Sequence, residues 1–168
     1  GPTTFCFGNS VDLTSSYVGG NTWSNAATTD AININAVGVY TIDVTQTDAN
    51  GCASTSAPIN VTVNALPATP IITASGPTTF CFGNSVDLTS SYVGGNAWST
   101  TATTDIINIS AVGVYTIDVT HTDVNGCSAT SAPISVTVNA LPATPIITAS
   151  GPTTFCFGNS VDLTSSYV

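Results

Sequence analysis

Apolar and polar residues alternate along most of this chain with a period of two. Val86 and Leu88 alternate with Asp87 and Thr89, and Ile107 and Ile109 alternate with Asn108 and Ser110. Further on, Tyr115, Ile117 and Val119 interleave with Thr116, Asp118 and Thr120, and Ile134, Val136 and Val138 form a last set. This period puts alternate residues on opposite faces of a strand, so each run predicts a strand with one buried and one wetted face. No run has a helical period. Turn signals recur roughly every ten residues: "FGNS" (Phe82 to Ser85), "VGG" (Val93 to Gly95), "VG" (Val112 and Gly113) and "DVNG" (Asp123 to Gly126). In order they predict strands A (opened by Ile71 and Ile72), B, C (marked by Trp98), E, F and G. The fold class is all-β, a sandwich of two sheets.

The same pattern occurs more than once. The string "GPTTFCFGNSVDLTSSYV" starts at Gly1, Gly76 and Gly151, a period of 75 residues. Residues 1–75 and 76–150 differ at 10 positions, and the third copy matches over all 18 residues present. A unit of this size has room for its own core, unlike a solenoid repeat that relies on its neighbours. "LPATP" recurs at Leu66 to Pro70 and Leu141 to Pro145, and its two prolines stiffen a linker and block strand pairing. The expected arrangement is an elongated rod of tandem domains. The chain starts and stops inside a repeat, so it reads as a stretch of a longer array.

Strand F carries Gly113, Tyr115 and Ile117 as Gly-x-Tyr-x-apolar. Immunoglobulin-like domains place Gly-x-Tyr-x-Cys there, with the Tyr at the corner between strands E and F. Here Ile117 stands at the Cys position and Ser90 at its partner position in strand B, so the inter-sheet disulfide is missing. Tyr40, Tyr115, Trp23 and Trp98 are the expected aromatic core residues. The order "PxITASGPTTFCFGNSVDLT…WS…GVYTIDVT…NGC…VTVNALP" resembles the Ig-like repeats of large secreted surface proteins of Bacteroidota, of the gliding-motility adhesin (SprB-like) type. The resemblance covers the whole repeat. It implies export, through the type IX route, and display on the cell surface as a long filament. The domain reading is then 1–66, an Ig-like repeat lacking its first strand; 67–141, a complete repeat; and 142–168, the start of a third.

Composition narrows the function. Lys and Arg are absent, all nine acids are Asp, and the net charge is −9. Nucleic acid needs cationic partners for its phosphates and is excluded as a ligand. An anionic membrane surface is disfavoured for the same reason, and no apolar run suggests membrane insertion. Catalysis has no recurring base: there is no Glu or Lys, and the single His121 stands where the first repeat has Gln46. His121 is read as a solvated strand residue, and the chain is not expected to be an enzyme.

Each full repeat has two Cys, which in a small Thr- and Asn-rich β protein indicates an oxidising, extracellular setting. Cys6 precedes the A–B turn, at the end of the domain where Tyr40 lies. Strand F then runs about 26 Å, at about 3.3 Å per residue, before the F–G turn delivers Cys52. A disulfide needs Cα atoms within about 7 Å. The two cysteines of one repeat are therefore expected at opposite poles, which predicts a bridge Cys6–Cys127 across the junction. Cys52, Cys81 and Cys156 would pair with other domains. The alternative is pairing within domains, Cys6–Cys52 and Cys81–Cys127. The "DANG" and "DVNG" turns offer oxygen ligands for calcium at Asp48, Asn50, Asp123 and Asn125, although hairpin chemistry explains them equally; no other cofactor is expected.

The leading expectation is a structural stalk of an extracellular filament or adhesin, serving gliding motility or attachment. Its partners would be neighbouring repeats, like chains laterally, and an external surface or glycan met through a region outside these residues. One alternative makes the repeats glycan- or surface-binding modules, with a flat Thr face at Thr41, Thr45 and Thr47. Another makes the chain a subunit of a multi-chain extracellular fibre or sheath.

Overall fold

A computed structural model describes residues 1–166, and all regular structure in them is β. The first domain contains β1 (Thr4–Cys6), β2 (Val11–Thr14), β3 (Asn21–Trp23), β4 (Ala31–Ile34), β5 (Gly38–Ile42), β6 (Val44–Thr47), β7 (Ala53–Thr55) and β8 (Ile59–Asn64). The second contains β9 (Ile72–Ala74), β10 (Thr79–Cys81), β11 (Val86–Ser90), β12 (Asn96–Trp98), β13 (Ile106–Ile109), β14 (Gly113–Ile117), β15 (Val119–Thr122), β16 (Ser128–Thr130) and β17 (Ile134–Asn139). Two further strands, β18 (Ile147–Ala149) and β19 (Leu163–Ser165), pair antiparallel as a ribbon.

The second domain shows the complete unit. Antiparallel β9, β11 and β13 make one sheet. The other layer joins β10, parallel to β17, to the antiparallel β17–β14 pair, and continues through β12, β15 and β16. Between the layers lie Val86, Leu88, Trp98, Ile107, Ile109, Ile117, Val119, Val136 and Val138. These are the inward residues of the period-two runs, which is why alternation alone located the core. The first domain builds its own core from Val11, Trp23, Ile32, Ile34, Ile42, Val61 and Val63.

Two features depart from simple strand runs. The first strand does not continue straight to the FGNS turn. It pairs with β11 up to Ala74, breaks at Gly76 and Pro77, and resumes as β10 against β17 in the opposite layer. Strands F and G are each broken once. Ile117 faces Ile134, but Ser131 N donates to Val119 O at 2.9 Å, so Asp118 alone faces Ala132 and Pro133. This is a β-bulge, and it gives Pro133 a place where no ladder N–H is required. The Ser131 hydroxyl accepts from Val119 N at 3.1 Å and supplies the missing partner.

The tyrosine corner is present in both domains. Tyr115 Oη donates to Ala111 O and Tyr40 Oη to Ala36 O, each at 3.0 Å. The ring of Tyr115 lies over Gly113, where an added Cβ would sit 3.1 Å from it.

The first domain differs from the second along one edge. Among the described residues its β2 pairs with β4 alone, whereas β11 pairs with both β13 and β9. As a result Leu13 and Val44 are half-buried, while the equivalent Leu88 and Val119 are fully buried. A groove of about 500 Å³ runs there, lined among others by Leu13, Trp23, Ile42, Val44 and Ile59.

Candidate functional site: the disulfide-bonded junction

Strand pairing decides where each cysteine lies. Parallel β1 and β8 align Phe5 with Val63 and Cys6 with Asn64, and Gly38 at the start of β5 faces the same Val63. Cys6 thus sits at the pole where β8 leaves the domain. Cys127 follows the turn after β15, at the opposite end of its own strand F from Gly113. The Asp123 carboxylate accepts from Asn125 N at 2.9 Å and Cys127 N at 2.8 Å, and Asp123 N donates to Cys127 O at 2.9 Å. The turn is closed around Cys127, which is 1% exposed.

The structure joins Cys6 to Cys127 by a disulfide with a Cα separation of 5.6 Å, inside the range such a bond spans. It is a bond between neighbouring repeats, and neither pairing within a domain is made. Cys52, Cys81 and Cys156 are free and exposed. Cys52 occupies the same turn in the first domain as Cys127 does in the second. Asp48 Oδ1 accepts there from Asn50 N at 2.9 Å and Cys52 N at 2.8 Å. The Cys52 N–H, and after it that of Asn50, hold the Asp48 carboxyl below the usual carboxylate range.

These bonds also describe the calcium candidates. One oxygen each of Asp48 and Asp123 is engaged by backbone N–H groups of its own turn. Asn50 Nδ2 reaches Asp48 Oδ2 at 3.5 Å. Among the described residues, no three His, Cys, Asp or Glu side chains gather as a metal site.

The pole of the second domain facing the linker carries a buried polar cluster. Ser90 Oγ donates to Asn96 Oδ1 at 2.9 Å, and Asn96 Nδ2 donates to Tyr92 O and Asp105 Oδ1, both at 2.9 Å. Asp105 Oδ1 also accepts from Gly94 N at 2.7 Å. Tyr92 Oη then donates to Ala68 O at 3.0 Å, which ties the linker to this loop. His121 belongs to the same assembly, and its reading as a solvated residue is corrected. It is buried, its Nδ1 donates to Gly94 O at 3.1 Å, and its ring stacks on Tyr92 with centroids 3.8 Å apart. The reason is parity: residue 121 follows Ile117 and Val119 on the inward face. Ser90 and Asn96 are legible in the same way, as polar residues at inward positions beside Leu88 and Trp98. No sequence rule links them to Asp105.

Trp23 and Trp98 lie in the two cores, and their Nε1 groups donate to Thr29 O and Thr104 O at 2.7 Å. Neither indole offers a platform for a sugar. Of the Thr row, Thr41 Oγ1 donates to Asn60 Oδ1 at 2.9 Å and Thr45 bonds Thr55 through their hydroxyls at 2.8 Å.

No protein-family model and no curated protein matches the sequence. Solved structures similar to this chain include a mouse coronavirus receptor-binding domain complexed with its murine receptor. That match has a TM-score of 0.44 and 16% identity, over 83% of this chain and 96% of that one. The fibronectin(III)-like modules of Clostridium thermocellum CbhA match with a TM-score of 0.36 and 15% identity, over 82% of this chain and 88% of theirs. A third is SGBP-B of the Bacteroides ovatus mixed-linkage glucan utilization locus, in complex with a mixed-linkage heptasaccharide. It has a TM-score of 0.31 and 15% identity, over 80% of this chain and 42% of that chain. No helix of the described residues is long and apolar enough to cross a membrane.

One glycine holds the linker pole together. Gly95 has φ +66°, and a Cβ there would overlap the backbone oxygen of Thr122, which lies beside the Cys127 turn. Gly95→Ala should cost about 2 kcal/mol or more, from the left-handed backbone and the forced shift. Urea denaturation followed by near-ultraviolet circular dichroism would check it. An unchanged midpoint would show that the loop relaxes freely.

Proposed function

We propose that this chain is part of the repetitive stalk of a secreted cell-surface filament or adhesin, used in motility or attachment, with a structural role and no catalysis. The observation that carries this reading is the Cys6–Cys127 bond between neighbouring repeats. Domains in one chain move relative to each other by default, because their mutual contacts are small. A covalent bridge beside a Pro-rich linker suits a unit that must transmit load. Near-identical repeats fit the same role, since length rather than any single surface is then the useful property. The lone His121, engaged by Gly94 O and replaced by Gln46 in the first domain, supports the non-catalytic part. The disulfide also fits an extracellular location.

The test is binding of the 168-residue chain to an array of glycans. The expected result is no saturable binding to any glycan class. Saturable binding that survives raised salt would instead favour repeats that are themselves glycan-binding modules.

A further inference from the structure

We propose that Asn125–Gly126, in the turn beside the interdomain bridge, is a self-modification site. The Asn125 side chain closes on the Gly126 nitrogen with loss of ammonia, and the Cys6–Cys127 bond is the latch that holds this reaction back. The inference concerns the chemistry of one turn and does not depend on the stalk reading.

Asparagine is most open to this reaction when glycine follows, because a Cβ on the next residue crowds the approach of its backbone nitrogen. Only Asn50 and Asn125 are followed by Gly in this chain. Asn125 lies at the exposed tip of the turn from β15 to β16, beside a fully exposed Val124. A Cβ added at Gly126 would meet no atom within 4 Å. Gly126 has φ +79°, a conformation that its missing Cβ permits. The step balances without an oxidant. The Gly126 nitrogen gives its proton to solvent base and bonds Asn125 Cγ. The Cγ–Nδ2 bond breaks, and the amide nitrogen takes a proton back and leaves as ammonia. The cyclic imide then takes up one water at either carbonyl carbon, which leaves aspartate or isoaspartate at residue 125.

In the closed turn this nitrogen is occupied. Gly126 N donates to Asp123 O at 3.0 Å, and the Asp123 carboxylate accepts from Asn125 N and Cys127 N. The negative charge of that carboxylate also opposes loss of the Gly126 proton. To reach Asn125 Cγ, the peptide between residues 125 and 126 must rotate. That rotation breaks the bond to Asp123 O and pulls Cys127 N away from Asp123. Cys127 cannot follow, because its sulfur is bonded to Cys6 of the neighbouring domain and the residue is 1% exposed. Once the bond is gone, residues 123–127 are an exposed hairpin tip, which opens locally at low cost. Isoaspartate adds a methylene to the main chain and sets a second carboxylate beside Asp123, so the original turn does not re-form. A junction left reduced is thereby marked permanently.

The experiment incubates the full chain and its Cys6→Ser variant in mildly alkaline buffer, under nitrogen so that free thiols form no new bridges. Pepsin digestion replaces trypsin, since the chain has no Lys or Arg. Mass spectrometry with electron-transfer fragmentation then separates isoaspartate from aspartate. Asn125 is expected to convert about tenfold faster in Cys6→Ser, the factor set by one hydrogen bond of ordinary strength that must open first. Asn50, whose turn the substitution does not touch, should convert at the same rate in both proteins. Hydrogen-exchange protection over residues 79–122 reports that the second domain of Cys6→Ser is folded. If it is not, the unsubstituted chain in reductant gives the same comparison. Incubation in urea, where both turns are open, should convert Asn50 and Asn125 alike. Equal rates at Asn125 with and without the bridge, or a parallel rise at Asn50, would overturn the proposal. So would an Asn125 that stays intact in Cys6→Ser yet converts in urea.

Discussion

Truncation of Trp98 to Ala should unfold the second domain under conditions where the first stays folded. Trp98 is 3% exposed and lies in the cluster of Leu88, Ile117, Val119 and Val136. Removing a buried Trp costs about 3–5 kcal/mol through lost transfer energy and the cavity left behind. The Thr104 carbonyl also loses its indole donor, which adds about 1 kcal/mol. Against this, a repeat of 75 residues holds only about 4–11 kcal/mol in total. Hydrogen exchange followed by mass spectrometry separates the domains. Protection should vanish over residues 72–139 and persist over residues 4–64. Trp98→Phe should restore much of the loss, since a ring again fills the space. Undiminished protection over 72–139 in Trp98→Ala would show that the core does not rest on this residue.

How far the sequence revealed this structure depends on how local each feature is. The strands and the core were legible because Val86, Leu88, Ile107, Ile109, Ile117 and Val136 each sit in a run whose period is visible in a few residues. The tyrosine corner was legible because Gly113 and Tyr115 are two apart and the geometry needs both. The split of the first strand into β9 and β10 was hidden, because Gly76 and Pro77 read the same whether the chain turns or crosses between layers. The bulge at Asp118 was hidden too, since only the change of register against Ala132 and Pro133 reveals it. His121 misleads for a different reason: its alignment with Gln46 suggests a solvated position, whereas its inward parity with Ile117 and Val119 places it in the interior. The cluster of Ser90, Asn96 and Asp105 depends on a loop closing between strands, which no spacing rule encodes. For the cysteines, one physical length carried the reading: strand F is too long for Cys6 and Cys52 to meet.

That length leads to the largest expected mechanical effect. A force applied between the two ends of the chain enters at Cys6 and leaves through Cys127, because the disulfide short-circuits the intervening sequence separation of 121. Those residues carry no covalent load while the bond is intact. At about 3.3–3.6 Å per extended residue, they hide roughly 400 Å of contour. Single-molecule pulling should therefore show a contour length longer by about this amount in reductant than in its absence. Cys6→Ser should match the reduced protein under both conditions. The same bond should contribute about 5 kcal/mol against complete unfolding, in the chain-entropy model for so long a loop. Equal contour lengths with and without reductant would show that the bridge is not formed, and would remove the main support for a load-bearing role. Where the same bond recurs along an array, the extensible chain is reduced to stretches such as Cys127 to Cys156, which hold strand G, the Pro-rich linker and the next first strand. Load would then pass from sulfur to sulfur, and the β-sandwiches would serve mainly to hold each pair of cysteines at opposite poles.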